Sequence, residues 1–456
     1  MSGDHAALAA PQTVAVIGLG YVGLTTAVGL AKLGHRVHGI DIDEGRVRSL
    51  QEGRVPIYEP GLQAALTEVG SSIQFTASIA DALSHDPDVV MLAVQTPAKD
   101  GEPSDTSFLE SAARDIGRHL KQPATIVVRS TAPVGTTARV RDIVSAELRR
   151  PVRAVANPEF LAEGRALESF LRPDRIVIGV DDAASADVMR KLYEPLDAPV
   201  VVTDFQTAEV TKYIANAFLA TEVSFINEMA DLAEALGADI RVISQALRLD
   251  ERIGPRAYLD AGLGFGGSCL PKDLRTIIHT GASWGVTLQL ARAVYAVNEE
   301  RVARLEGKLR KAIGDLAGAR VAVWGLAFKG GTDDVRDSPA TRFVQRLVRQ
   351  GAAVRAYDPL ANHSAEGVVG ADVLCDDMYA AVADADALVI VTDCAEFAEF
   401  DFATVHAAMR RPLIIDGRNA LAAATARGHG FEYRGVGTPE GEGTAPAVIP
   451  QGPHVQ

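Results

Sequence analysis

The chain repeats itself. Val14-Ala-Val-Ile-Gly-Leu-Gly20 is echoed by Val321-Ala-Val-Trp-Gly-Leu-Ala327, and Leu30-Ala-Lys-Leu-Gly-His-Arg-Val-His-Gly-Ile-Asp41 by Leu347-Val-Arg-Gln-Gly-Ala-Ala-Val-Arg-Ala-Tyr-Asp358. A third match sets Asp86-Pro-Asp88 and its apolar run to Thr96 against Asp384-Ala-Asp386 and its run to Thr392. Each copy alternates short β-branched runs with segments of helical period, the pattern of a parallel sheet covered by helices on both faces. The repeat therefore predicts an α/β chain of two Rossmann-like, doubly wound parallel-sheet domains joined by a long central helix. Residues 13–31 carry no charge, but Thr25, Thr26 and the glycines at 18, 20, 23 and 29 fit strand, turn and helix better than a membrane span.

Between the copies, from about Gln206 to Arg310, strand signals disappear and helix formers dominate. In Ala208 to Leu236, Val210, Tyr213, Ile214, Ala217 and Phe218 recur at helical spacing. Such an apolar helix packs either within its own chain or against a second copy, and a homodimer or higher homo-oligomer is expected. The domains expected are 1–205, 206–310 and 311–437, with a disordered tail, 438–456, rich in Gly, Pro and small polar residues.

The formal charge of −14 argues against a nucleic-acid or anionic-membrane surface, so an anionic substrate needs a local basic pocket. Cys269, Cys375 and Cys394 form no metal-ligand spacing and no disulfide framework, which points to a reducing, cytoplasmic setting and no bound metal. The first dozen residues lack a basic start followed by an apolar run, so no signal peptide is expected.

The first copy carries Gly18-x-Gly20-x-x-Gly23 directly after a strand and opening a helix. There the glycines allow a tight turn, backbone approach to a pyrophosphate, and close helix–sheet packing. Asp41 ends the second strand, where a carboxylate accepts hydrogen bonds from ribose hydroxyls and repels a 2′-phosphate, so NAD is expected rather than NADP. Arg46 lies nearby and is assigned to the pyrophosphate or the surface. In the second copy the fingerprint becomes Gly325-x-Ala327-x-x-Gly330, with Lys329 where the first copy has Val22. A methyl at the second position obstructs a dinucleotide, while Lys329 and Arg336 supply cations for a different phosphate ligand. With the strand–turn–helix frame expected to be intact, this reads as a nucleotide-phosphate site; a decayed cofactor domain is the alternative.

Gly264-Phe-Gly-Gly-Ser-Cys-Leu-Pro-Lys-Asp-Leu274 sets Cys269 on a glycine-rich turn just before a helix start, with Pro271 suited to its first position. The helix dipole and Lys272 favour the thiolate, the nucleophilic form. A buried small hydrophobe would need neither Gly264, Gly266 and Gly267 nor the carboxylate of Asp273 one turn on. Lys212 and Asn216 share a face of the central helix, and the apolar neighbours Ile214, Ala215, Ala217 and Phe218 would lower the Lys212 pKa toward that of a working base. Glu159 and Glu163 are a second one-turn pair.

Gly18-Leu-Gly-Tyr-Val-Gly23, Pro56-Ile-Tyr-Glu-Pro-Gly61, Arg129-Ser-Thr-Ala-Pro-Val-Gly-Thr136, Asn157-Pro-Glu-Phe-Leu-Ala-Glu-Gly164, Gly264-Phe-Gly-Gly-Ser-Cys269 and Gly325-Leu-Ala-Phe-Lys329 together resemble the nucleotide-sugar dehydrogenases of the UDP-glucose/GDP-mannose family, over roughly residues 13–420. The resemblance implies a Rossmann NAD domain, a central dimerisation region and a C-terminal UDP-binding domain. It also implies a four-electron oxidation of UDP-glucose at C6 to UDP-glucuronate, using two NAD, through a thiohemiacetal and a thioester on Cys269. By the same resemblance Lys212 and Asn216 handle the oxyanion and protons, and Asp273, Glu159, Glu163 and Thr131 organise water and proton transfer. The cofactor would be held by Gly18, Gly20, Tyr21, Val22, Gly23, Asp41, Arg46, Thr96, Thr131, Glu163, Lys272 and Arg336. The UDP-sugar would be held by Phe160, Leu161, Glu163, Lys212, Asn216, Arg252, Tyr258, Gly262, Phe265, Gly266, Cys269, Phe328 and Lys329. Gln95 and Arg129 depart from the residues common at those positions. GDP-mannose or a UDP-N-acetylhexosamine are the alternative substrates, and a non-catalytic nucleotide-sugar-binding protein, which would need neither Cys269 nor Lys212, is the alternative of another class.

Overall fold

The computed structural model describes residues 10–97 and 104–439; most of the expected C-terminal tail, 440–456, lies outside them. The chain divides into two compact units, residues 1–215 with 275–287 and residues 216–274 with 288–456. Among the described residues no helix is long and apolar enough to cross a membrane.

The first unit is built on eight strands: β1 (Thr13–Ile17), β2 (Arg36–Ile40), β3 (Ile73–Thr76), β4 (Val89–Leu92), β5 (Thr125–Val128), β6 (Arg153–Ala156), β7 (Ile176–Gly179) and β8 (Val200–Thr203). They lie in the order β3-β2-β1-β4-β5-β6-β7-β8, and each pairing is parallel except β6 with β7, which meet antiparallel at Ala156 and Gly179. Strand alternation splits β1 between two cores: Val14 and Val16 join one face with Leu24 and Val28, Ala15 and Ile17 the other with Val90 and Ile126. Because both faces are covered, the central strands read as unbroken apolar runs.

The second unit has five strands, β9 (Arg320–Trp324), β10 (Ala353–Tyr357), β11 (Ala387–Ile390), β12 (Leu413–Asp416) and β13 (Glu432–Gly435), all parallel in the order β10-β9-β11-β12-β13. The sequence repeat is a repeat of hydrogen bonds. Asp88 accepts the Thr13 N–H at 2.8 Å, and Asp386 accepts the Arg320 N–H at 2.9 Å. Asp86 and Asp384 both adopt left-handed backbone, φ 51° and 56°, a conformation that Asp tolerates better than most residues. One part of the expected frame fails: β9 does not run through its glycine turn into a helix. Residues 325–338 form a loop, and the helix begins only at Pro339, capped by the Ser338 hydroxyl. Gly330 packs instead against the chain at Asp393, whose carbonyl oxygen would lie 2.4 Å from any added Cβ, and donates its N–H to the Asp393 carboxylate.

The long helix is Phe205–Leu236, which begins in the first unit and continues in the second. Its apolar periodicity has two destinations. Ala208 and Tyr213 are buried, whereas Ile214 and Phe218 are 55% and 63% exposed. Phe218, Phe225, Leu232 and Leu236 continue as an exposed apolar stripe on the second unit.

Candidate active site

In the first unit, β1 ends in the glycine turn that opens helix Tyr21–Lys32. The three glycines do different things. Gly18 has φ 92° and its Cβ would lie 2.6 Å from the Ala93 carbonyl oxygen; at Gly23 a Cβ would collide with the Gly18 carbonyl at 1.7 Å. A Cβ at Gly20 would meet nothing within 4 Å, so that face is open to a ligand. Asp41, buried at the end of β2, accepts the Leu19 N–H at 2.7 Å and the Asp43 N–H at 3.0 Å. Arg46 donates to the same carboxylate at 2.9 Å, so its cation is held by Asp41 rather than standing apart at the surface. Val22 packs on the sheet core, and the Thr96 hydroxyl donates to the Thr131 carbonyl at 2.6 Å.

Glu59 holds this region together. It takes the Tyr21 hydroxyl, the Gly164 N–H at 2.9 Å and the Ala166 N–H at 2.6 Å, tying helix Tyr21–Lys32 to the segment that carries Glu163. Burial and then the Glu59 hydrogen bond raise the Tyr21 phenol pKa, with the Glu163 charge adding to the effect. Glu59 lay inside a quoted motif, yet nothing local marked it as the hub.

Glu159 and Lys212 are the buried ion pair of this unit. Their side chains are 5% and 4% exposed, with Nζ 3.1 Å from Oε1. Burial pushes the Glu159 carboxyl up, but the Lys212 ammonium, the Leu161 N–H at 2.6 Å and the Arg129 guanidinium outweigh it and hold it below the usual carboxylate range. Of the apolar neighbours expected around Lys212, Ile214 and Phe218 are exposed, and the lysine stands against the Glu159 carboxylate. Phe160 lies against Lys212 Nζ, 5.5 Å from the ring centre, and against Arg175 at 3.8 Å. Ser130, Thr131, Pro158, Glu209 and Lys212 line one cleft. Glu209, which the sequence reading missed, accepts the N–H groups of Gly135 at 2.6 Å and Thr137 at 2.7 Å, capping helix Thr136–Leu148. Arg129, also buried, donates to the Asn157 side chain at 2.9 Å.

In the second unit, Cys269 immediately precedes helix Leu270–Ser283, so Pro271 takes the second helical position, where its missing N–H is equally harmless. The thiol is half-buried and in no disulfide, with Ser268 Oγ 3.6 Å away. Asp273 is buried and accepts both Asn216 Nδ2 and Lys272 Nζ at 2.6 Å. The Lys272 charge expected to favour the thiolate is thus bonded to Asp273. Around the thiol's loop, Gly262 N–H donates to Asn227 at 2.7 Å and Gly267 N–H to the Arg336 carbonyl at 2.9 Å. A Cβ on Gly267 would strike the Phe328 ring at 2.8 Å, and one on Gly266 the Asp337 carbonyl at 2.5 Å. The cysteine loop therefore lies directly on the loop that carries Phe328, Lys329 and Arg336. Lys329 Nζ stands 5.6 Å from the Phe328 ring centre, and Arg336 forks onto Asp334 at 2.7–3.0 Å. Arg252 is 88% exposed and paired with Asp250, and Tyr258 is also exposed.

The second glycine turn is built differently. Ala327 is fully buried, and Asp358, the counterpart of Asp41, accepts four backbone N–H groups, from Leu326, Ala327, Leu360 and Ala361. A carboxylate so saturated has no acceptor left for a ribose hydroxyl.

The two halves thus differ in chemistry as the domains of one known family do. Residues 12–197 match the NAD binding domain of the UDP-glucose/GDP-mannose dehydrogenase family, 206–300 its central domain and 322–423 its UDP binding domain. The chain belongs to the UDP-glucose/GDP-mannose dehydrogenase family. It is 41% identical to the UDP-glucose 6-dehydrogenase TuaD of Bacillus subtilis, over 96% of this chain and 95% of that protein. It is 42% identical to the UDP-glucose 6-dehydrogenase of Pseudomonas aeruginosa, over 93% and 97%. Among solved structures, a UDP-glucose dehydrogenase from Pyrobaculum islandicum superposes with a TM-score of 0.87 at 39% identity, covering 96% of this chain and 100% of that one. A UDP-D-ManNAc dehydrogenase from Pyrococcus horikoshii does so at 0.82 and 31%, over 93% and 99%. Membership makes the chain an NAD-dependent oxidoreductase. The open face at Gly20 and the carboxylate of Asp41 are the features this unit offers to NAD.

Proposed function

We propose that this dehydrogenase oxidises the C6 alcohol of UDP-glucose to the carboxylate of UDP-glucuronate, with Cys269 as a covalent acceptor. The observation that carries the reading is Cys269 at the mouth of a helix, with Asp273 buried one turn inside and bonded to Asn216 and Lys272. The substrate assignment leans on the relatives at 39–42% identity, whose names specify UDP-glucose, over the UDP-D-ManNAc enzyme at 31%.

NAD, when bound, would supply the hydride acceptor for each of two oxidations at C6. The chain's own groups do the rest. Lys212, held by Glu159, and Asn216, one turn along the same helix, stabilise the oxygen on C6 as its proton leaves. The Cys269 thiolate adds to the aldehyde carbon, forming a C–S bond and a thiohemiacetal hydroxyl. Loss of the second hydride and that hydroxyl's proton leaves a thioester. Water, oriented by Glu159, Glu163, Asp273 and Thr131, adds to the thioester carbon, and the C–S bond breaks to return the thiolate. One alcohol and one water thus become one carboxylate, two hydrides and three protons. Phe328 and Lys329 would hold the UDP, and the exposed stripe of Phe218, Phe225, Leu232 and Leu236 would be covered by a second copy, making a homodimer.

The test is NADH formation with a panel of UDP-glucose, UDP-N-acetylhexosamines and GDP-mannose. Two NADH per UDP-glucose, with UDP-glucuronate as product, is the expected result; activity with GDP-mannose alone would overturn the substrate, and one NADH per sugar the four-electron course.

A further inference from the structure

We propose that Asn298, on helix Gln289–Ile313, is a positioning residue that sets the Cys269 thiol for aldehyde capture. Both polar atoms of its amide go to one residue of the cysteine loop: Oδ1 accepts the Phe265 N–H at 2.8 Å and Nδ2 donates to the Phe265 carbonyl at 3.1 Å. That is the pairing a neighbouring β-strand would supply, provided here by a side chain that is itself buried. Gly264 exists in the form this clamp requires. It has φ 93°, and a Cβ there would lie 2.5 Å from Asn298 Oδ1, so only glycine lets the amide reach the backbone.

The clamp matters because the segment it holds is rich in glycine. Gly264 and Gly267 have positive φ, Gly266 has no side chain, and a glycine-rich stretch samples many backbone states unless its polar groups are tied down. Between the Phe265 clamp and the helix that starts at Leu270, the Gly267 N–H also bonds to the Arg336 carbonyl. The amide faces this loop because Asn298 shares a helix face with Arg301, Val302 and Leu305, all buried. Loosening Phe265 moves the thiol along with its loop, and a misplacement of about 1 Å in a reacting group costs roughly a hundred-fold in rate.

The inference rests on Cys269 being the nucleophile, so the test includes Cys269→Ser as a reference. Asn298→Asp keeps shape and the acceptor for the Phe265 N–H but sets a second carboxylate oxygen against the Phe265 carbonyl. With full-length enzyme we expect kcat to fall roughly a hundred-fold while both KM values stay within about threefold, the mark of an interaction used in the reaction rather than in binding. The more specific readout is leakage. Turnover in the presence of semicarbazide should yield the trapped C6 aldehyde of the UDP-sugar from Asn298→Asp and little from wild type. Asn298→Ser, whose hydroxyl can both donate and accept, should leak less than Asn298→Asp; it also serves if the aspartate variant does not fold. Wild-type kcat without leakage in a folded Asn298 variant, or activity lost only in proportion to the folded fraction, would overturn the positioning role. Wild-type uronate formation by Cys269→Ser would instead overturn the covalent reading itself.

Discussion

Glu159→Gln is the sharpest probe of the buried pair. In the wild type the carboxylate stands 3.1 Å from the Lys212 ammonium, with both side chains nearly excluded from water. At that distance, and with an effective dielectric of about 20, the attraction is about 5 kcal/mol, and removing one partner of such a pair costs about 3–5 kcal/mol because the other charge stays buried. A ceiling follows from proton chemistry. A lysine that loses this carboxylate can always shed its proton, which at pH 7 costs about 4.6 kcal/mol relative to an unfolded lysine of pKa about 10.4 and falls by about 1.4 kcal/mol per pH unit. In the variant the lysine's folded pKa is depressed, the unfolded chain binds more protons, and stability rises with pH between the two values. The deficit against wild type should therefore be about 3–4.6 kcal/mol at pH 7 and no more than about 2 kcal/mol at pH 9. On the acid side the sign is opposite. Glu159 has a lowered folded pKa, so its contribution is full above the normal glutamate range and is lost as pH falls through the folded value. Urea melts of both proteins from pH 4 to 9 measure this directly. A deficit under about 1 kcal/mol that does not change with pH would refute the reasoning, since the Glu159 carboxylate would then contribute no more than an exposed ion pair does.

Asp41→Ala should raise the KM for NAD and relax rejection of NADP, more than the loss of the carboxylate alone predicts, because Arg46 loses its partner and becomes available to a 2′-phosphate; an unchanged NAD/NADP preference in steady-state kinetics would place selectivity elsewhere. Lys329→Ala should weaken UDP-sugar binding by roughly ten- to a hundred-fold, the loss of one charge-assisted phosphate contact of about 1.5–3 kcal/mol, and leave NAD affinity nearly intact. Calorimetric titration of each ligand decides it, and lost NAD binding with intact UDP binding would reverse the assignment of the two units. Cys269→Ser should abolish uronate formation, since a serine alkoxide is far harder to form near neutral pH than a thiolate; mass spectrometry of stalled enzyme should find no acid product.

What could be read from the sequence is what short stretches of chain decide among themselves. Three glycines in six residues after an apolar run fix a turn whatever else the chain does, and a strand buried on both faces must be apolar throughout, so the repeat of Val14–Asp41 in Val321–Asp358 determined two parallel-sheet units. Cys269 before a helix was legible for the same reason, because Pro271 and the glycines act on their immediate neighbours. The tertiary structure decided where polar groups meet. Helical spacing made Ile214 and Phe218 look like the surroundings of Lys212, yet a period marks which residues share a face and not what that face meets; the lysine faces Glu159 and the two apolar side chains face outward. Arg46 found Asp41, Asp358 was saturated by four backbone N–H groups, and Asn298 reached across to Phe265 from a helix with no motif of its own. The Lys212–Glu159 pair, the Leu326 and Ala327 bonds to Asp358 and the Asn298 clamp join segments brought together by packing. A buried hydrogen bond needs its donor within about 3 Å and correctly aligned, and residue type says only that a partner is required, while the crossing of helices and loops supplies it.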